Sequence, residues 1–243
     1  MRVMKRADTI LCERGFFESR AKARAAIEAG LVQINGSVVT KPATPVAETA
    51  DIAASAPHPW VSRGGVKLDH ALAHFCIDPT GRFCLDVGAS TGGFTDVLLA
   101  RDARHVVSVD VGRDQLHPKL RNDPRVTSLE SQDIRTLAPT RLAETPSLVV
   151  VDASFIALAS LLTSITTLAA GNAELVALIK PQFEAGRGAT KKGVVRDEKI
   201  HADVCARVVD ALRTLGWRVS GVIPSPISGG DGNREFLLHA VRS

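Results

Sequence analysis

Beyond residue 60, short apolar runs alternate with stretches whose apolar positions return every three to four residues. The runs are Phe83–Val87, His105–Val111, Val126–Glu130, Leu148–Asp152, Leu175–Lys180, Trp217–Ile223 and Glu235–Val241. Each has the length and β-branched content of a buried strand. Helical stretches follow the first, fourth and fifth runs, the last of them covering roughly Asp197 to Leu215. This alternation predicts an α/β fold with a mainly parallel, seven-stranded, Rossmann-like sheet. Only a Pro/Gly/Ser-rich loop, 224–234, joins the last two runs, so they are expected as an antiparallel pair.

Residues 1–57 follow a different pattern. Ala7, Ile10 and Leu11 mark a short amphipathic helix that ends at Gly15. Ser19 is placed to cap a second helix from Arg20 to Ala29, with Ala23, Ala26 and Ile27 inward and Arg20, Lys22 and Arg24 outward. The runs 31–34 and 38–39 flank Asn35-Gly36, a hairpin signal. A small α+β module is expected here, then a Pro/Ala-rich stretch and a linker over residues 58–63, with the larger domain at 64–243.

Charge sharpens that division. The net charge is +4, and residues 1–41 carry eight Lys/Arg against four Asp/Glu, so the excess lies in the small module. Such asymmetry suggests a polyanion-binding appendage. The four cysteines, Cys12, Cys76, Cys84 and Cys205, are widely spaced with no C-x-x-C pair. Neither a metal site nor a disulfide framework is expected, and reduced thiols without a secretory signal fit the cytoplasm. The uncharged segment Ala153–Ala173 is long enough to span a bilayer. Its many Ser and Thr residues, and the helical spacing of Leu158, Leu161, Leu162, Ile165 and Leu168, suit a helix packed on a sheet better.

Candidate chemistry centres on Asp86-Val87-Gly88-Ala89-Ser90-Thr91-Gly92-Gly93-Phe94, a strand end, a glycine-rich turn and a helix start. Glycines let a backbone turn sharply against a ligand, and free N–H groups at a helix start suit polar atoms. The spacing departs from the dinucleotide fingerprint. An acid at the end of the next strand, Asp110, stands where a ribose-binding carboxylate belongs in a nucleotide-binding unit. The stretch resembles motif I of S-adenosylmethionine methyltransferases. That resemblance implies cofactor contacts from Asp86, Gly88, Ala89, Ser90, Gly92, Gly93, Phe94, Asp110 and Asp152, with Asp133 near the adenine.

Sites in such sheets form at the C-terminal ends of the parallel strands. Asp152 and Lys180 close the fourth and fifth runs, and a charge there rarely serves packing because burying it unpaired costs several kcal/mol. Lys67 stands in the first turn of the helix opened by Gly64-Gly65, against the helix dipole. Lys67, Asp152, Lys180 and Glu235 resemble, in order and context, the K-D-K-E tetrad of FtsJ-type RNA ribose 2′-O-methyltransferases. The small module, through Ser19-Arg20-x-x-Ala23-x-x-x-Ile27-x-x-Gly30 and the Asn35-Gly36 hairpin, resembles the S-four RNA-binding domain. Together with 61–65, 121–126 and 180–184, these motifs identify the chain as similar to the TlyA family throughout its length.

The resemblance implies methylation of a ribosomal RNA ribose, with Lys180 as general base and Lys67, Asp152 and Glu235 positioning it. It also implies RNA contacts from Arg6, Arg20, Lys22, Arg24 and Arg63. The chain stops at Ser243 after the last strand, like the shorter branch associated with 23S rRNA and the large subunit. Base N-methylation fits poorly, because Asp152-Ala153-Ser154-Phe155 replaces N/D-P-P-Y and there is no tyrosine. Two alternatives are a membrane-active cytolysin, after the hemolysin label some family members carry, and a non-catalytic assembly factor.

Overall fold

The computed structural model describes residues 4–186, 193–229 and 232–242. The chain forms two units, Met1–Pro59 and Trp60–Ser243.

The first unit runs β1 (Met4–Arg6), α1 (Ala7–Glu13), α2 (Arg20–Glu28), β2 (Val32–Ile34), β3 (Ser37–Val38), β4 (Pro45–Ala47) and β5 (Ile52–Ala54). The Ser19 hydroxyl caps α2 by accepting the Lys22 N–H at 3.3 Å. Asn35 and Gly36 both take positive φ, 50° and 77°, and so close the β2–β3 hairpin with a turn that suits the strands' twist. β5 pairs with the other edge of β2, and β1 pairs with β4. Both pairings join segments too short for a periodic signal. Ile10, Leu11, Ala23, Ala26, Ile27 and Val32 form the core.

The second unit contains α3 (Gly64–His74), β6 (Phe83–Val87), α4 (Gly93–Ala100), β7 (His105–Val109), α5 (Pro118–Arg121), β8 (Val126–Leu129), β9 (Leu148–Val151), α6 (Leu162–Leu168), β10 (Glu174–Ile179), α7 (Pro181–Glu184), α8 (Glu198–Thr214), β11 (Trp217–Pro224) and β12 (Phe236–Arg242). Its seven-stranded sheet has the order β11-β12-β10-β9-β6-β7-β8. β12 lies between β10 and β11, antiparallel to both, and the remaining pairs are parallel.

Alternate strand residues feed two cores, as the pleat requires. Leu85, Val107 and Val149 pack with α6 and α8, whereas Cys84, Val106 and Val150 pack with α3 and α4. Cover on both faces explains why these strands read as continuous apolar runs.

Two expectations need correction. The stretch 60–63 packs on the second unit instead of bridging to it. Val61 is buried and its N–H donates to Asp96 at 2.9 Å, and a Cβ on Gly65 would lie 2.4 Å from the Trp60 ring. The runs expected to include Asp152, Lys180 and Glu235 stop one residue short of each. The charged residues stand just outside the ladders, at one edge of the sheet, because β12 runs antiparallel and its first residue, Phe236, pairs with Ile179. Residues 153–173 form only a short 3-10 turn and the seven-residue α6. Among the described residues, no helix is long and apolar enough to cross a membrane.

Candidate active site

Two cavities open along that strand edge. The larger, about 600 Å³, is lined by Gly88, Ser90, Asp110, Asp133, Asp152 and apolar residues that include Val109 and Ile134. The smaller, about 380 Å³, is lined by Arg63, Lys67, Ala89, Gly93, Phe94 and Lys180 among others. Gly88, Ser90, Asp152 and Ser154 line both.

The turn after β6 makes this shared wall. Gly88 has φ 82°, and a Cβ there would meet the Asp152 carbonyl oxygen at 2.9 Å. Only glycine lets this turn lie against the end of β9. Asp110, just past β7, holds the other side. Its carboxylate accepts the Ser90 N–H at 2.8 Å and the Gly112 N–H at 2.6 Å. A fixed carboxylate, apolar walls and a close-approaching backbone suit a nucleoside-like cofactor such as S-adenosylmethionine in the larger cavity.

The structure distributes the expected cofactor residues unevenly. Gly88, Ser90, Asp110, Asp133 and Asp152 line the larger cavity, whereas Ala89, Gly93 and Phe94 line the smaller. Gly92 lines neither. It takes φ 96° at the start of α4, where a Cβ would collide with Leu116 and Leu120. Asp86 also lines neither and is fully buried. It accepts a 2.7 Å hydrogen bond from the Thr95 hydroxyl, which contacts Ser108, and its other oxygen has no partner among the described residues. Burial, aided by the charges of Asp152 and Asp110, pushes its pKa up to about 7. Asp86 therefore supports the turn from beneath. Asp133 reaches the cavity with its carboxylate already engaged by Arg135 at 2.6 Å. Arg135 and Gln115, which also line that wall, carried no signal in the sequence.

The four tetrad residues form two pairs. Lys67 Nζ lies 2.5 Å from Glu235 Oε2, with the side chains 10% and 3% exposed. Lys180 Nζ lies 2.6 Å from Asp152 Oδ1, with the side chains 9% and 20% exposed. Burial this deep requires such pairing. No local pattern marked a further partner of Lys180, the Ser154 hydroxyl at 2.7 Å. Arg63 also lines the smaller cavity and donates to the Ser228 carbonyl at 2.8 Å. A third cation thus stands at that cavity. Phe155, at the larger cavity, is 91% exposed and contacts Phe183.

In the first unit, every expected RNA contact faces an acid. Arg6 and Arg20 both pair with the buried Asp8, Lys22 with Glu18 and Arg24 with Glu28. The Arg6 guanidinium, with Arg20, holds the Asp8 carboxyl well below the usual range.

Residues 60–242 match the FtsJ-like methyltransferase family and residues 5–52 match the S4 domain. The chain belongs to the FtsJ-like methyltransferases. It is 46% identical over 236 residues to the 16S/23S rRNA (cytidine-2′-O)-methyltransferase TlyA of Mycobacterium tuberculosis, covering 96% of this chain and 88% of that one. It is 36% identical over 186 residues to the 23S rRNA (cytidine-2′-O)-methyltransferase TlyA of Campylobacter jejuni, covering 76% and 72%. A solved structure described as a hemolysin of Streptococcus thermophilus superposes with a TM-score of 0.79 at 39% identity, covering 100% of this chain and 90% of that one. Solved S-adenosylmethionine-dependent methyltransferases at 14% and 19% identity share the fold alone. This FtsJ-like enzyme thus joins a methyltransferase fold to an S4 domain, and its tetrad lies at the crevice of that fold.

Proposed function

We propose that this methyltransferase transfers a methyl group to the ribose 2′-hydroxyl of a cytidine in ribosomal RNA, in the cytoplasm, with Lys180 as the general base. The observation that carries this reading is the division of the crevice. Lys67 and Lys180 line the smaller cavity and Asp110 lines the larger, with Gly88, Ser90, Asp152 and Ser154 common to both. An acceptor in the smaller cavity is thus held beside a cofactor in the larger. Asp110, Gly88 and Ser90 would hold S-adenosylmethionine, which supplies an electrophilic methyl group.

A ribose hydroxyl becomes a competent nucleophile when its proton leaves. Lys180 receives that proton on Nζ, and Asp152 fixes the amine. Lys67, anchored by Glu235, is the second cation at the same cavity. Its charge stabilises negative charge developing on the ribose oxygen. Asp152 and Glu235 contribute orientation.

The S4 unit supplies docking. Arg6, Arg20, Lys22 and Arg24, with Arg63 at the crevice, contact RNA phosphates, which position a substrate without specifying its sequence. The favoured substrate is 23S rRNA in the large subunit. Both TlyA relatives described above carry 23S rRNA in their names.

The test is incubation with labelled S-adenosylmethionine and separated small and large ribosomal subunits, followed by mapping of 2′-O-methyl positions. A methylated cytidine in the large subunit is expected. Label on a base, or no label on either subunit, overturns the reading. Lys180→Arg keeps the charge but cannot accept the proton, so activity falls by about 10²–10⁴-fold. Full activity of that variant removes Lys180 from the mechanism.

A further inference from the structure

Ser154 stands two residues beyond the end of β9 and lines both cavities. Its hydroxyl oxygen lies 2.7 Å from Lys180 Nζ, as close as a charge-assisted hydrogen bond allows. Asp152 Oδ1 lies 2.6 Å from the same nitrogen as an ion-pair partner but outside hydrogen-bond alignment, so among the described residues Ser154 gives Lys180 its short hydrogen bond. The Asp152 carbonyl is 3.5 Å away, at the limit of hydrogen bonding.

We propose that Ser154 is a positioning residue that holds the amine of Lys180 for the acceptor hydroxyl. This rests on the reading of Lys180 as the base. A neutral lysine amine has two N–H bonds and one lone pair around Nζ. Ser154 Oγ takes one N–H and so limits rotation about Cε–Nζ, whereas Asp152 holds the nitrogen by charge, outside the alignment of a hydrogen bond. Lys180 lines the acceptor cavity. Without the Ser154 hydroxyl, the amine rotates and presents its lone pair productively only part of the time.

The proton balance is simple. The ribose O–H bond breaks, the N–H bond forms on Lys180, and the electron pair of the O–H bond stays on the oxygen that attacks the methyl carbon. Ser154 neither gains nor loses a proton. Its oxygen accepts the same N–H before and after, and accepts it more strongly once the ammonium has formed.

The experiment compares wild type, Ser154→Ala and Ser154→Thr as full chains on the ribosomal substrate established above. Ser154→Ala is expected to lose about tenfold in kcat and keep the wild-type KM for RNA and unfolding temperature. Ser154→Thr keeps a hydroxyl and restores kcat. On a Lys180→Arg background, Ser154→Ala costs nothing further. Wild-type kcat in Ser154→Ala overturns the proposal, as does a loss that Ser154→Thr leaves unrestored. If Lys180→Arg is itself fully active, the reading of the base has failed. If Lys180→Arg is inactive and Ser154→Ala is not impaired, only the role of Ser154 has failed.

Discussion

In the first unit, the side chains of Arg6, Arg20, Lys22 and Arg24 are 50%, 60%, 34% and 66% exposed, each beside a carboxylate. At the crevice, Lys67 and Lys180 are also beside carboxylates, but only 10% and 9% exposed. The pair chemistry is the same and the burial is opposite. An exposed ion pair is worth about 0–1 kcal/mol, so Lys22 and Arg24, whose acids are exposed too, can change partners at little cost. A buried pair cannot open cheaply, because either ion alone would be left desolvated. One set of cations is thus free to change partners, and the other is held still. Asp8 joins the two patterns: it is buried, yet it presents two exposed arginines.

The largest effect that could break this contrast is expected from Glu235→Ala. Removing the partner of Lys67 leaves a buried ammonium unpaired, and chemical denaturation should show a loss of about 3–5 kcal/mol. A loss below about 1 kcal/mol would place this pair with the surface pairs. Next comes Asp86. Its folded pKa, about 7, is raised above the unfolded value, so its contribution is fully present below the unfolded pKa of about 3.9 and is lost as pH rises through 7. Asp86→Asn removes that loss. Its unfolding temperature should gain on wild type between pH 5 and pH 8, by about 2–4 °C for each kcal/mol. A difference that does not change with pH would show that Asp86 stays charged in the fold.

Asp110→Ala should weaken S-adenosylmethionine binding by about 1.5–3 kcal/mol in calorimetry, since it removes a charged acceptor. It also frees the Ser90 and Gly112 N–H groups. Asp110→Asn, which keeps one acceptor, should fall between the two. The smallest stability effect belongs to Arg24→Ala, under about 1 kcal/mol. Its binding to RNA should weaken, with a salt-dependence slope lower by about 1 and kcat unchanged. An unchanged slope would remove Arg24 from the docking surface.

Local patterns in the chain were enough to place the strands of the large sheet and its main helices, but not β1, β4 and β5 of the first unit. The apolar runs mark the inner strands of the large sheet because each is covered on both faces, and Asn35-Gly36 marks the hairpin because few other dipeptides take two positive φ angles. Asp152 and Lys180 were legible as charges at strand ends, where burial without a purpose is costly, and Lys67 as a cation against a helix dipole, whereas Glu235 entered only through the family resemblance. Tertiary structure alone decided the partner of Lys67. Lys67 meets Glu235 because β12 inserts between β10 and β11, a choice made by long-range sheet pairing that no local periodicity encodes. The burial of Asp86 beneath the turn, the packing of Trp60 and Val61 on the larger unit and the contact of Ser154 with Lys180 have the same origin. Backbone preference and hydrophobic period act over a few residues, whereas ion pairing and desolvation depend on which distant side chains the closed fold brings within about 3 Å.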